Sequence, residues 1–310
     1  MDYSRIQDSV DIEIIQKSKI VVVGAGGSYS LVTSLARCGV GKLTVLDFDT
    51  VEQTNIVRQG YKQTDIGKFK VDALKEEVEA INPEVHYIGI TKNFLDMNNQ
   101  ELDAIFKEAN LLLFLTDSFV AQAYGNVVAL KHNKPAIWAG WYAQSRTAEV
   151  FFQAPGYTYS CFRCMASSRY IANQEQEVKV SSNSNTIFHS QLLDSFIGML
   201  SLAILHTNPK PIIPYYVISK QNPNEYEVFW ESLLDGKRNV PYNFFQFKVH
   251  PQGGNNSFDK SYKSLGMSAH NFVSHWQKAE AEIIDNGYSY NCPDCGGSLH
   301  EMATKFYPWN

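Results

Sequence analysis

The residues with chemical potential begin with a glycine loop, VVVGAGGSYS at 21–30. Gly24 and Gly26, with Gly27 beside them, let the backbone turn tightly and come close to a phosphate. The helix start that follows supplies unpaired N–H groups and a partial positive charge. A dinucleotide fingerprint would put its third glycine at position 29, where this chain has Tyr29. The same glycines also suit an ordinary tight turn between strand and helix, so the loop alone names no ligand. Asp47 closes the apolar run KLTVL (42–46) and can accept both hydroxyls of a ribose, whether from NAD or ATP. Asn55, Arg58 and Lys70 follow, in LDFDTVEQTNIVRQG (46–60) and DIGKFKVDALK (65–75). Two cations just past a ribose acid suit a triphosphate, because its outer groups carry most of the charge. Asp117 ends a further apolar run, where open α/β sheets place their ligands; it can hold Mg²⁺ or cap the next helix.

A second group is sulfur. Cys161-Phe162-Arg163-Cys164 and Cys292-Pro293-Asp294-Cys295-Gly296-Gly297 are two CxxC knuckles. In the second, the glycine admits N–H···S bonds and the proline stiffens the loop. Two such pairs can make a tetrahedral Cys₄ site even when remote in sequence, and a closed Cys₄ zinc is structural. A redox CxxC would need only one pair. Cys38, at the end of a helix on its apolar face, is expected to be a buried structural residue. The histidines form no HxxxH or HExxH pattern, and no GxSxG or P-loop occurs.

These groups need a scaffold. Apolar runs at 19–23, 42–46, 85–90, 111–115 and 135–139 alternate with amphipathic stretches at 28–38, 71–81 and 119–131. That alternation predicts an α/β fold: a Rossmann-like, mostly parallel sheet with crossover helices. Ala148–Phe152 is expected at a sheet edge, 153–190 as an irregular polar stretch, and Leu193–Leu205 as a buried helix. Short aromatic strands are expected at Tyr215–Ile218, Tyr226–Trp230 and Phe244–Val249, with a late helix over Ala269–Ile284. Tyr215, Tyr216, Phe229, Trp230, Phe244 and Phe245 read as core, with a partner surface as the alternative. The expected division is an ATP-binding domain at 1–160 and an elaboration at 161–310, whose antiparallel strands are clipped by the zinc site.

Composition narrows the function. The chain has 310 residues, 44% of them hydrophobic and 19% charged, with a net charge of −5. That is enough apolar material for a sizeable core and argues against disorder and nucleic-acid binding. No apolar run is expected to reach the ~18 residues of a membrane helix; the longest candidate, Phe196–Leu205, contains Gly198 and Ser201. The N-terminus has no apolar signal core, and five cysteines are no disulfide framework. A cytoplasmic location is expected.

Taken in order, GAGGSYS, LDFDTVEQTNIVRQ, GKFK and FLTDSF resemble the adenylation domain of the ThiF/MoeB/HesA superfamily, which includes the ubiquitin-activating enzymes. The resemblance covers about residues 1–165 and both CxxC pairs. It implies Mg²⁺-ATP binding and adenylation of the C-terminal glycine of a ubiquitin-like or sulfur-carrier protein. It implies that Gly24, Gly26, Gly27, Asp47, Asp49, Asn55, Arg58 and Lys70 hold the nucleotide and that Asp117 binds Mg²⁺. Arg58, Lys70 and Asp117 would act in catalysis. Tyr3-Ser4-Arg5 resembles a segment whose arginine reaches the partner's site in a homodimer, so Arg5 is a candidate trans-acting ligand. The resemblance also implies a Cys₄ zinc at Cys161, Cys164, Cys292 and Cys295.

Two positions depart from the family pattern. Tyr29 replaces a glycine, and would narrow the adenine pocket, stack on the base or weaken ATP binding. Ser118 replaces an asparagine. Residues 165–190 hold no cysteine where thioester-forming relatives carry theirs, so the acyl-adenylate is expected to pass to a thiol on a partner. An NAD-dependent oxidoreductase, and a catalytically weak scaffold with Tyr29 spoiling the site, are the rivals. Sulfur transfer and a bacterial conjugation system, including an antiviral one, stay open within the family.

Overall fold

The computed structural model describes residues 1–142, 146–173, 184–207, 223–234, 241–249, 273–277, 282–285 and 288–296. Short, mostly apolar runs build the centre: β1 (Lys19–Val23), β2 (Lys42–Leu46), β3 (His86–Ile90), β4 (Leu111–Phe114) and β5 (Ala136–Trp141). They pair in parallel in the order β3-β2-β1-β4-β5. Near-continuous apolar strands are what a parallel sheet covered on both faces requires. Three antiparallel strands extend it: β6 (Thr147–Gln153), β7 (Phe244–Lys248) and β8 (Val273–Gln277). A separate hairpin pairs β9 (Glu282–Asp285) with β10 (Tyr288–Asn291).

Helices cover both faces. On one side α2 (Tyr29–Arg37), α3 (Lys70–Ile81) and α8 (Ile187–Thr207) bury Leu31, Leu35, Leu74, Val78, Ile197 and Leu200 against Ile20, Val22, Leu43 and Val45. On the other, α4 (Asn99–Phe106) and α5 (Phe119–Lys131) bury Leu102, Phe106 and Val128 against Val21, Val23 and Leu112. The alternation of β1 residues between the two cores is the period-two signature of a strand. The short helices α1 (Ile12–Lys17), α6 (Phe162–Met165) and α7 (Ser167–Ala172) lie before the sheet and after β6, and α9 (Glu225–Leu233) packs on α8.

The α/β expectation holds for the first five strands, and several later expectations are corrected. Ala148–Phe152 is not an edge: β6 lies between β5 and β7, and all seven of its residues are buried. The stretch at 153–190 contains α6, α7 and the start of α8. Tyr226–Trp230 is helical, in α9. Asn224 Oδ1 accepts the N–H groups of Tyr226 and Glu227, while Glu227 accepts from Asn224, a reciprocal cap that favours a helix start over a strand. The late helix is replaced by β8 and β9. β8 continues the sheet beside β7, and Asn286-Gly287 before β10 is the strongest short-range hairpin signal in sequence. The strand expected at Tyr215–Ile218, and the role of Tyr215 and Tyr216, lie outside the described residues.

The membrane expectation is also corrected. α8 spans 21 residues with a mean hydropathy of 1.4, long and apolar enough to cross a membrane by composition. Here it serves as a core helix, packing on α2, α9, β4, β5 and β6. Cys38 is half-buried at the C-terminal cap of α2, and burial pushes its thiol pKa up.

Candidate functional site

A cavity of about 840 Å³ opens at the C-terminal ends of β1, β2, β4 and β5. This is the crevice where strand order reverses, between β1 and β4. The turn after β1 sets its floor. Gly24 has φ +101, and a Cβ there would come 2.7 Å from Leu115 O, so the backbone itself demands glycine. Gly26 faces Gln59, and Gly27 faces open space. Asp47 is fixed beside this turn: its carboxylate accepts the N–H of Ala25 at 2.7 Å and of Asp49 at 2.8 Å. Burial raises its pKa above the ordinary value, with Lys70 and the two N–H groups opposing.

Lys70, the first residue of α3 and 6% exposed, directs Nζ to Asp49 Oδ2 at 2.7 Å. Arg58 lines the same cavity, and no ion pair to its guanidinium is seen among the described residues. Asp117 is exposed at the rim. It does not cap α5, since Ser118 Oγ takes that place by accepting from Ala121 N at 3.3 Å. Gly24, Gly26, Gly27, Asp47, Asp49, Arg58, Lys70 and Asp117 therefore converge on one cavity. Asn55 does not join them: it is buried, and its Oδ1 accepts Glu52 N–H at 2.9 Å within the loop that carries Arg58. Arg5 is exposed and lies away from the cavity.

Of the roles expected for Tyr29, its position bears on the two that need it in the cavity wall. It is 8% exposed and is not part of the cavity wall. Its ring packs edge-on to Tyr61 at 4.8 Å between centroids and fills the space left by Gly60, where a Cβ would meet it at 2.0 Å. It neither narrows an adenine pocket nor reaches a base. Burial pushes its hydroxyl pKa to about 12.

The sequence reading missed a second wall. Trp141, Tyr142, Arg146, Thr147, Glu149 and Arg169 line the cavity beyond β5. Arg169 pairs with Glu149 at 2.5 Å, and Tyr142 donates to the other oxygen of Glu149. Among the described residues, Trp141 Nε1, Thr147 Oγ1 and Gln59 Oε1 are buried polar atoms without a hydrogen-bond partner, on residues that line the cavity. Arg169 lies five residues after Cys164, and that proximity was its available signal. Asp194, an acid inside the apolar stretch LLDSFIGML, was another.

The four cysteines come together as expected. Cys161 and Cys164 Sγ atoms lie 3.8 Å apart, Cys161 and Cys292 3.7 Å, and Cys164 and Cys295 3.6 Å. A tetrahedron of thiolates about 2.3 Å from zinc has edges of about 3.8 Å, so the donor set fits that metal. Around it, Asn126 Nδ2 donates to Cys161 Sγ at 3.6 Å and to Asp294 at 2.8 Å, and Arg163 pairs with Asp294 at 2.8 Å.

The chain is similar to known proteins in sequence and in fold. The ThiF family profile matches residues 3–239. The probable adenylyltransferase/sulfurtransferase MoeZ of Mycobacterium tuberculosis is 30% identical over 141 residues, 45% of this chain and 35% of that protein. Ubiquitin-like modifier-activating enzyme 5 of Caenorhabditis elegans is 31% identical over 164 residues, 50% of this chain and 39% of that protein. The molybdopterin-synthase adenylyltransferase of Escherichia coli is 30% identical over 156 residues, 50% of this chain and 61% of that protein. The matches thus span less than two thirds of these relatives. Escherichia coli MccB with ATP superposes with a TM-score of 0.58 at 17% identity, over 86% of this chain and 65% of MccB. PaaA gives a TM-score of 0.58 at 18% identity, over 86% of this chain and 75% of PaaA.

Proposed function

The chain belongs to the ThiF family, and from that premise we propose that it is an ATP-dependent adenylyltransferase acting on the C-terminal carboxylate of a ubiquitin-like or sulfur-carrier protein. The observation that carries the reading is the convergence of Asp47, Arg58, Lys70 and Asp117 on one cavity at the strand ends. Asp47 would accept the ribose hydroxyls, and Gly26 and Gly27 would let the triphosphate approach the loop backbone. Arg58 and Lys70 would neutralise the outer phosphates, Lys70 leaving Asp49 or sharing it.

The carboxylate of the carrier protein attacks the α-phosphorus and expels pyrophosphate. A carboxylate is already a nucleophile, so this step asks for positioning and charge neutralisation rather than a base. Asp117, exposed and free of a capping role, would hold Mg²⁺, which would offset charge on the leaving group. Asn55 acts on this reading by shaping the Arg58 loop instead of touching phosphate. Arg5, away from the cavity of its own chain, is assigned to the cavity of a second copy in a homodimer. The Cys₄ cluster would hold a structural zinc. With no cysteine in 165–190, the acyl group would leave on a partner's thiol. A cytoplasmic location completes the reading.

The test is exchange of labelled pyrophosphate into ATP, screened with ubiquitin-like proteins that end in glycine. Exchange that depends on the added protein is expected. Arg58→Ala and Asp117→Ala should each lower it by about 10²-fold with circular dichroism unchanged. Near-normal exchange in both variants would remove these residues from the mechanism.

A further inference from the structure

α2 starts without a cap of its own. Ser28 occupies its N-cap position, but the Ser28 hydroxyl donates to Gly24 O at 2.6 Å and caps nothing. The missing acceptor comes from α8: Asp194 takes the Leu31 N–H at 3.0 Å and the Ser30 N–H as well. Four residues earlier on the same helix, Ser190 Oγ donates to Arg58 O at 2.9 Å. Residues four apart stack on one helix face, and both Ser190 and Asp194 line the cavity. One face of α8 thus touches both sides of the phosphate cradle, the glycine-loop helix and the segment carrying Arg58. Asp194 is 6% exposed in an otherwise apolar stretch. Burying a carboxyl there is costly, and a core helix has no need of one.

We propose that Asp194 is a positioning residue for the nucleotide: with Ser190, it locks the start of α2 and the Arg58 segment into the single geometry that accepts a polyphosphate. This rests on the adenylyltransferase reading of the cavity. A cap that only stabilised α2 would affect every ligand alike. A positioning residue acts on the phosphates and leaves the nucleoside untouched.

The experiment is calorimetric titration of the full chain with Mg²⁺-ATP and, separately, with adenosine. Asp194→Ala is expected to weaken ATP about tenfold while adenosine stays within about twofold. Asp194→Asn keeps one acceptor oxygen and should recover most of the loss. Ser190→Ala should weaken ATP about threefold with adenosine unchanged, and it answers the question if Asp194→Ala does not fold. Equal losses for ATP and adenosine would overturn the inference. So would ATP binding by the native chain that Asp194→Ala and Ser190→Ala leave unchanged, with the adenylyltransferase reading still standing. A native chain that binds no ATP would overturn that reading and the inference together.

Discussion

Asp47 shows how a functional residue works against the fold that holds it. Burial raises its pKa, and Lys70 with the N–H groups of Ala25 and Asp49 restores only part of the charged form's stability. A folded-state value above the unfolded one means that ionising Asp47 costs stability. The cost is absent below the ordinary value and grows as pH rises through the folded value. Nucleotide binding runs the other way, because a protonated Asp47 loses acceptor capacity for ribose. Acidification from pH 7 toward about pH 4 is therefore expected to reduce the Asp47 penalty in the ligand-free chain while weakening ATP. Calorimetric titrations across that range check the binding half. An affinity that rises on acidification would contradict the role of Asp47. Tyr29 gives a second residue-scale test. Its ring occupies the space above Gly60, so Gly60→Ala should cost about 1–3 kcal/mol of stability. Tyr29→Ala should absorb part of that cost in the double variant, and additive losses in denaturant melts would contradict the packing. The glycines, Asp47, Arg58, Lys70 and Asp117 were legible because their types and order along the strand-to-helix connections suit a phosphate-bearing ligand. The role of Tyr29 was not legible, because sequence spacing shows which position a side chain holds and not which way it points.

At the scale of elements, the four cysteines bring remote segments together. Cys161 and Cys164 flank the start of α6, and Cys292 and Cys295 follow β10. Their sulfur spacing matches a thiolate tetrahedron without adjustment. One zinc per chain is expected by elemental analysis. Its removal by chelation, or Cys292→Ser, should lower Tm by about 5–10 °C. A metal-free chain with an unchanged Tm would contradict the assignment. β1, β2 and β4 were readable because each is almost wholly buried and bounded by turn residues, while β3, exposed at the sheet edge, was readable from its apolar residues alone. α9 and β8 were not, since an aromatic run of five to nine residues fits a helix or a strand equally well. The Asn224–Glu227 cap decides α9, and the pairing edge of β7 decides β8.

Considered whole, the molecule joins its two halves through one sheet. β7 and β8 extend the strands of the first half, and α8 buries Leu193, Ile197, Leu200 and Ile204 against that half's core. A fragment of residues 1–160 would leave β6 as an open edge and uncover the α2 and β4–β6 surfaces beneath α8. It is expected to aggregate or to melt without a cooperative transition, as calorimetric scanning would show. A soluble fragment with a sharp transition would contradict this. The cysteine pairs signalled that the halves meet, but their joining through one sheet was illegible in sequence, where strand pairing between residues a hundred positions apart leaves no local pattern. The same holds for the wall of Trp141, Arg146, Glu149 and Arg169, which the fold assembles from two separate segments.

On the proposed function, the cavity takes a triphosphate nucleotide and not a dinucleotide. Calorimetric titration with Mg²⁺-ATP, with NAD as the control and Arg58→Ala as the variant, tests it most directly. Micromolar ATP binding is expected, at least about tenfold weaker in Arg58→Ala, with no comparable binding of NAD. NAD binding in preference to ATP, or ATP binding indifferent to Arg58, would contradict it.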